Sequence, residues 1–168
     1  MFSQTQTLLE EHLVPKNILS RHHCQAAVLT CMDFRFNGEE GAALKKTFGL
    51  DRDDYDLIAL PGGAQNLTDY ALGADYSRAS EEAIGLAVNL HQVSDIIVLS
   101  HQDCGALKAV GKTFLPGEFK SETKFHHDLL QNAIRTVRSK WPSVKIKAGF
   151  AHVVDSGDGQ SIVVSEVV

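Results

Sequence analysis

Three short apolar runs set the frame for this chain: residues 25–30 (Gln-Ala-Ala-Val-Leu-Thr), 55–60 (Tyr-Asp-Leu-Ile-Ala-Leu) and 95–100 (Asp-Ile-Ile-Val-Leu-Ser). Each reads as a strand, and helical patterns lie between them. Strands that alternate with helices imply a mainly parallel sheet covered on both faces. Helices are expected over 39–48, closed near Gly49, and over 68–91, 105–110 and 124–140. In the second of these, Ala79, Ala83, Leu86, Ala87 and Leu90 recur at three- and four-residue intervals and predict one buried face. Leu129, Leu130, Ile134 and Val137 do the same for the last. A further helix is expected over 3–14, ended by Pro15. Residues 145–155 and 161–168 read as an antiparallel hairpin joined by Ser156-Gly157-Asp158-Gly159-Gln160. The expected fold class is therefore α/β: a mainly parallel four-stranded sheet flanked by helices, with an antiparallel edge strand at the C-terminus. A length of 168 residues suits one domain with one core, spanning 1–168.

Composition serves mainly to exclude. The net charge is −5, from 16 Lys+Arg against 21 Asp+Glu, and no strongly basic tract stands out, which argues against a nucleic-acid partner. Apolar runs such as 96–99 are far too short to span a bilayer, so no membrane partner is expected. The first ten residues lack the basic and apolar regions of a secretory signal, and the chain reads as cytoplasmic. Three cysteines, Cys24, Cys31 and Cys104, do not make a disulfide framework. In a reducing compartment their thiols remain available for metal or catalysis.

Two short motifs follow the first and third predicted strands: Cys31-Met32-Asp33-Phe34-Arg35 and His101-Gln102-Asp103-Cys104. Ligands of open α/β sheets bind at the carboxyl ends of strands, where both motifs fall. Cys and His are the preferred zinc ligands, and His-x-x-Cys lets two of them converge from one tight turn. Cys31 adds the third from the neighbouring strand. Three protein ligands leave one tetrahedral position open, the mark of a catalytic zinc site with one Zn²⁺ per chain. Cys104 stands where a helix begins, which favours its thiolate, and Gly105 lets the backbone come close to a metal or substrate. Taken singly, Cys31 is an ordinary small buried residue, His-x-x-Cys recurs by chance, and Asp33 with Arg35 makes a surface ion pair. Their conjunction at matching strand ends points to a site.

These residues resemble the β-class carbonic anhydrases, in particular the compact microbial branch. That family carries Cys-x-Asp-x-Arg after its first strand and His-x-x-Cys after its third, and both motifs are complete here. The resemblance covers roughly 20–155. It implies that Cys31, His101 and Cys104 are the zinc ligands and that Asp33 and Arg35 are a catalytic dyad. It implies reversible hydration of CO₂ to bicarbonate by zinc-bound hydroxide. It also implies an N-terminal helical arm over 1–20 that packs on a partner subunit, in a homodimer or a dimer of dimers. The chain departs from the family after its second strand, where Pro61-Gly62-Gly63-Ala64-Gln65-Asn66 replaces the usual Asn-Ala-Gly, and at the bulky Phe34. His126 and His127 match no motif and read as exposed or partly buried helix-face residues. Rival readings are a zinc protein acting on COS or CS₂, one lacking hydratase activity, and a metal-free thiol enzyme built on Cys31. The thiol enzyme needs a longer anion-cradling loop than the three residues between Cys31 and Arg35. Gly62-Gly63 lacks the Gly-x-Gly-x-x-Gly of a nucleotide site and reads as a plain turn or cavity wall, and the zinc-deaminase motifs are absent.

Overall fold

Strand β1, Ala26–Cys31, is buried along its whole length, as a strand covered on both faces must be. The computed structural model describes residues 22–155, 157 and 159–167, without the side chains of 37–40. The expected helix over 3–14 and the arm over 1–20 lie outside the described residues. After β1 come α1 (Phe34–Phe48), β2 (Tyr55–Leu60), a 3-10 turn (Gly63–Leu67), α2 (Ala74–Leu90) and β3 (Asp95–His101). A short α3 (Gly105–Ala109), a long α4 (Phe119–Lys140), β4 (Lys145–Asp155) and β5 (Gln160–Val167) complete the order.

The sheet runs β2-β1-β3-β4-β5. β1 pairs in parallel with β2 and β3, β3 pairs in parallel with β4, and β5 closes antiparallel on β4. The expectation of four parallel strands and an antiparallel edge is met. Because the chain places β2 on one side of β1 and β3 on the other, the strand order reverses between β1 and β3. That is the switch point at which an open sheet offers a crevice beyond its carboxyl ends.

Side-chain alternation divides the core in two. Leu29, Ile96 and Val98 pack with Ile84 of α2 and Leu130 of α4. Val28, Ile97 and Leu99 pack with Leu44 and Phe48 of α1. α1 ends on Gly49, whose left-handed backbone (φ 75°) lets its N–H reach the Lys45 carbonyl, a turn that glycine makes without strain.

Several expectations need correction. α1 begins at Phe34, not residue 39, because the Asp33 carboxylate accepts the Arg35 N–H and caps the first turn. The stretch 68–91 is not one helix. Asn66 bonds Pro61 O and the Leu72 N–H, holding the chain in a 3-10 turn and a loop before α2 starts at residue 74. The buried face of α2 is Ser80, Ile84 and Ala87. Of the residues expected there, Ala79 is exposed, and Leu86 and Leu90 are 58% and 62% exposed. A polar serine in the buried row concealed its phase. α4 starts five residues before the expected 124, because its first buried residues, Glu122 and His126, are polar.

His126 is also the plainest departure in burial, at 1% exposed. Its ring stacks on Phe150 with centroids 4.7 Å apart, and neither nitrogen has a hydrogen-bond partner among the described residues. Burial lowers its pKa to about 3. An unfolded histidine titrates near 6.5. Between these values only the unfolded chain takes the proton, so this residue's contribution to stability is full above about 6.5 and falls as pH drops toward about 3. His126→Phe keeps the stack without the proton acceptor. Its urea midpoint relative to wild type is expected to improve steadily as pH falls from about 7 to about 4. A difference independent of pH would show that His126 is not held neutral.

Candidate metal centre

β1 ends on Cys31, β3 ends on His101, and Cys104 is the residue before the first turn of α3. Between His101 and Cys104 the chain reverses through Asp103, whose left-handed backbone (φ 56°) suits a short polar residue. The ligand-type atoms of Cys31, His101 and Cys104 all lie within 4.8 Å of one another, and all three residues are buried. The structure thus brings together the three residues that the sequence singled out.

The imidazole is set up as a ligand. His101 Nδ1 lies 2.8 Å from the Gln102 carbonyl, which can only accept, so Nδ1 carries the hydrogen. Nε2 is then left with its lone pair, buried and without a partner among the described residues. An N–H anchored to a backbone carbonyl is the usual way a metal-binding histidine is fixed. Phe36 packs on the same ring, with centroids 4.4 Å apart.

The two thiols share one proton's worth of stabilisation. Cys31 is pushed well below an ordinary thiol, chiefly because the Cys104 thiol hydrogen-bonds to it, against the cost of burial. Cys104 is pushed up correspondingly, by the same hydrogen bond and by burial. The Gly62 N–H donates to Cys31 Sγ at 3.3 Å. One buried thiolate therefore forms readily and a second does not, unless a cation supplies the missing charge. Two sulfurs, one free imidazole lone pair and a deficit of positive charge fit a divalent metal ion.

Asp33 and Arg35 stand beside this cluster. Arg35 Nε and Nη2 donate to the two Asp33 oxygens at 3.0 and 2.7 Å, a bidentate fork. The hydrogen bond from Arg35 is the main reason that Asp33 is held down to about 2. Asp33 Oδ2 lies 3.9 Å from His101 Nε2. Arg35 is itself gripped from the far side, with Nη1 donating to Asp103 Oδ2 at 2.9 Å and Nη2 to the Asp103 carbonyl at 3.1 Å. Lys108 also pairs with Asp103, and Glu122 accepts the Asp103 N–H at 2.6 Å. In the sequence Asp103 stands only as one of the two residues between His101 and Cys104. Its charge was visible, but its partner 68 residues away was not.

The loop after β2 is closer to the centre than a plain turn. Gly62 and Gly63 both have positive φ, at 83° and 50°. A Cβ on Gly63 would meet Thr30 C at 2.6 Å, Cys31 N at 2.7 Å and Leu99 O at 2.9 Å. The loop is thus wedged between the ends of β1 and β3. A Cβ on Gly105 would meet nothing within 4 Å, so no protein atom demands glycine there. A cavity of about 540 Å³ opens beside Cys104, bordered by Asp103, Leu107, Lys112, Phe114 and Glu122. Among the described residues no helix is long and apolar enough to cross a membrane.

Residues 21–158 match the family described as "Putative carbonic anhydrase". An uncharacterized protein of Rickettsia bellii is 30% identical over 137 residues, covering 82% of this chain and 79% of that protein. An uncharacterized protein of Rickettsia conorii is 31% identical over 137 residues, covering 81% of this chain and 69% of that one. Among solved structures, a carbonic anhydrase from Glaciozyma antarctica superposes with a TM-score of 0.55 at 16% identity, covering 99% of this chain and 96% of that chain. That likeness is one of fold.

Gly63→Ala tests the wedge. A Cβ under 3 Å from three backbone atoms, in a left-handed conformation, is expected to destabilise the protein by about 2–4 kcal/mol in urea unfolding. A loss below about 1 kcal/mol would mean that the loop backs away from β1 at little cost.

Proposed function

The chain belongs to the family described as "Putative carbonic anhydrase", and on that premise we propose that it is a zinc enzyme catalysing the reversible hydration of CO₂ to bicarbonate. The observation that carries this reading is the meeting of Cys31, His101 and Cys104 within 4.8 Å, with the Asp33 carboxylate 3.9 Å from the His101 nitrogen. Cys31 Sγ, His101 Nε2 and Cys104 Sγ would hold the ion. A zinc ion there supplies Lewis acidity that brings deprotonation of water within reach of neutral pH.

The chain's own groups do the rest. Asp33, ionised down to about 2, remains an acceptor throughout the physiological range. It takes a hydrogen bond from the attacking water and aims the oxygen lone pair at the carbon of CO₂. Arg35 fixes the plane of that carboxylate through two parallel hydrogen bonds. Asp103, by holding the other edge of the guanidinium, positions Arg35 in turn. The cavity beside Cys104 gives substrate and departing bicarbonate a path, and buffer carries the proton away.

The reaction and the choice among CO₂, COS and CS₂ are tested together. Asp33→Asn preserves the helix cap, since Asn caps as well as Asp, whereas Asp33→Ala would forfeit about 1 kcal/mol with it. In stopped-flow assays Asp33→Asn is expected to lower kcat/KM for CO₂ by about 100-fold or more. Metal at this centre should be retained. Cys104→Ser should lose both metal and activity. Undiminished turnover in Asp33→Asn would remove that residue from the mechanism. Hydrolysis of COS or CS₂ without CO₂ hydration in the wild type would reassign the substrate.

A further inference from the structure

A second set of metal-donor side chains converges at the opposite end of the sheet, and the function proposed above makes no use of it. Cys24 lies just ahead of β1, Asp56 is the second residue of β2, and His91 caps the C-terminus of α2. All three therefore sit at the amino ends of the strands. At a strand rise of 3.3 Å, the six residues of β1 put them about 20 Å from the Cys31 centre.

The Cys24 sulfur, an Asp56 oxygen and a His91 ring nitrogen lie within 4.8 Å of one another. His91 Nδ1 is 2.6 Å from Asp56 Oδ2. Burial, followed by the charge of Asp56, raises the Cys24 pKa above its ordinary value. The three residues border a cavity of about 360 Å³ whose wall also includes His22 and His23. Arg52 and Asp53, of opposite charge, border it too.

An ordinary surface ion pair accounts for His91 and Asp56 alone. The Cys24 thiol donates to the Ala26 carbonyl at 3.6 Å, yet its sulfur also lies within 4.8 Å of that carboxylate and imidazole, and two more imidazoles share the wall. A carboxylate discourages thiolate formation, and a divalent cation between them reverses that, displacing the thiol proton and satisfying both anions. The donor set decides the class of cation. Thiolate and imidazole select zinc and its transition-metal neighbours, while calcium and magnesium take oxygen ligands. With a fourth donor from the wall the coordination would be complete, the pattern of a structural site with no open position.

We propose that Cys24, Asp56 and His91, completed by His22 or His23, form a second site for a zinc-class divalent cation at the amino edge of the sheet. The ion ties the segment entering β1 and the end of α2 to the edge strand β2.

The test uses untagged full-length protein, stripped with a chelator and reloaded with Co²⁺. The wild type is expected to hold two cobalt ions per chain, both showing thiolate-to-cobalt charge-transfer absorption. His91→Ala and the nearly isosteric Cys24→Ser should each lose one ion, with native circular dichroism and with zinc-loaded CO₂ hydration within roughly two-fold of wild type. Cys104→Ser should lose the other ion and keep the one that His91→Ala removes. A single wild-type ion, lost in Cys104→Ser and retained in His91→Ala, overturns the second site and leaves the proposed function standing. A single ion lost in His91→Ala and retained in Cys104→Ser does the reverse. Two ions that both survive His91→Ala and Cys24→Ser also overturn the second site.

Discussion

The parallel pairing of β1 with β3 is the contact on which the metal centre depends. Its register sets Ala26 against Asp95 and runs through Leu29 against Val98. It delivers the ends of both strands, Cys31 and His101, to the same edge of the sheet. The reversal of strand order at this pair opens the crevice there. Cys104 needs only the short turn through Asp103 to join them. Gly63 then closes the gap from the β2 side, touching the backbone of β1 and β3 at once. The backbone that carries Cys31 and His101 is thereby held in place.

Around that frame, charge is arranged in layers. Of the buried thiol pair only one member ionises readily, and the His101 lone pair has no hydrogen-bond partner among the described residues. Next to it, Asp33 is simultaneously a helix cap, an Arg35 partner and the carboxylate nearest the imidazole. These roles reinforce one another. The cap fixes the backbone of α1, the fork fixes the carboxylate plane, and Asp103 keeps the guanidinium from swinging out into the solvent that reaches 44% of its side chain. A bidentate contact of this kind is more restraining than an exposed ion pair between flexible chains.

The sheet carries different chemistry at its two ends. At the carboxyl end, the three donors are buried and a cavity borders one of them, Cys104. At the amino end, Cys24, Asp56 and His91 are half-buried or exposed and are offered by three separate segments. The exposed Leu86 and Leu90 lie on the same helix that ends at His91.

Much of this was legible in the order of residues. Apolar runs separated by helical periods pointed to the parallel strands and their antiparallel edge, most plainly in β1 and β3, whose burial on both faces demands continuous apolar sequence. Cys-x-Asp-x-Arg and His-x-x-Cys determined which side chains are candidates, because few residue types bind zinc and their spacing bounds their reach. Other features were hidden. Ser80, Glu122 and His126 are polar residues on buried faces, so hydrophobic periodicity misplaced the face of α2 and the start of α4. The grip of Asp103 on Arg35, the Gly62 N–H on Cys31 and the meeting of Cys24 with Asp56 and His91 join residues 31 to 68 positions apart. Sequence determined the elements and the chemistry available at their ends. Tertiary structure alone decided which ends meet, since strand neighbours are chosen by the packing of whole layers and leave no local trace in the chain.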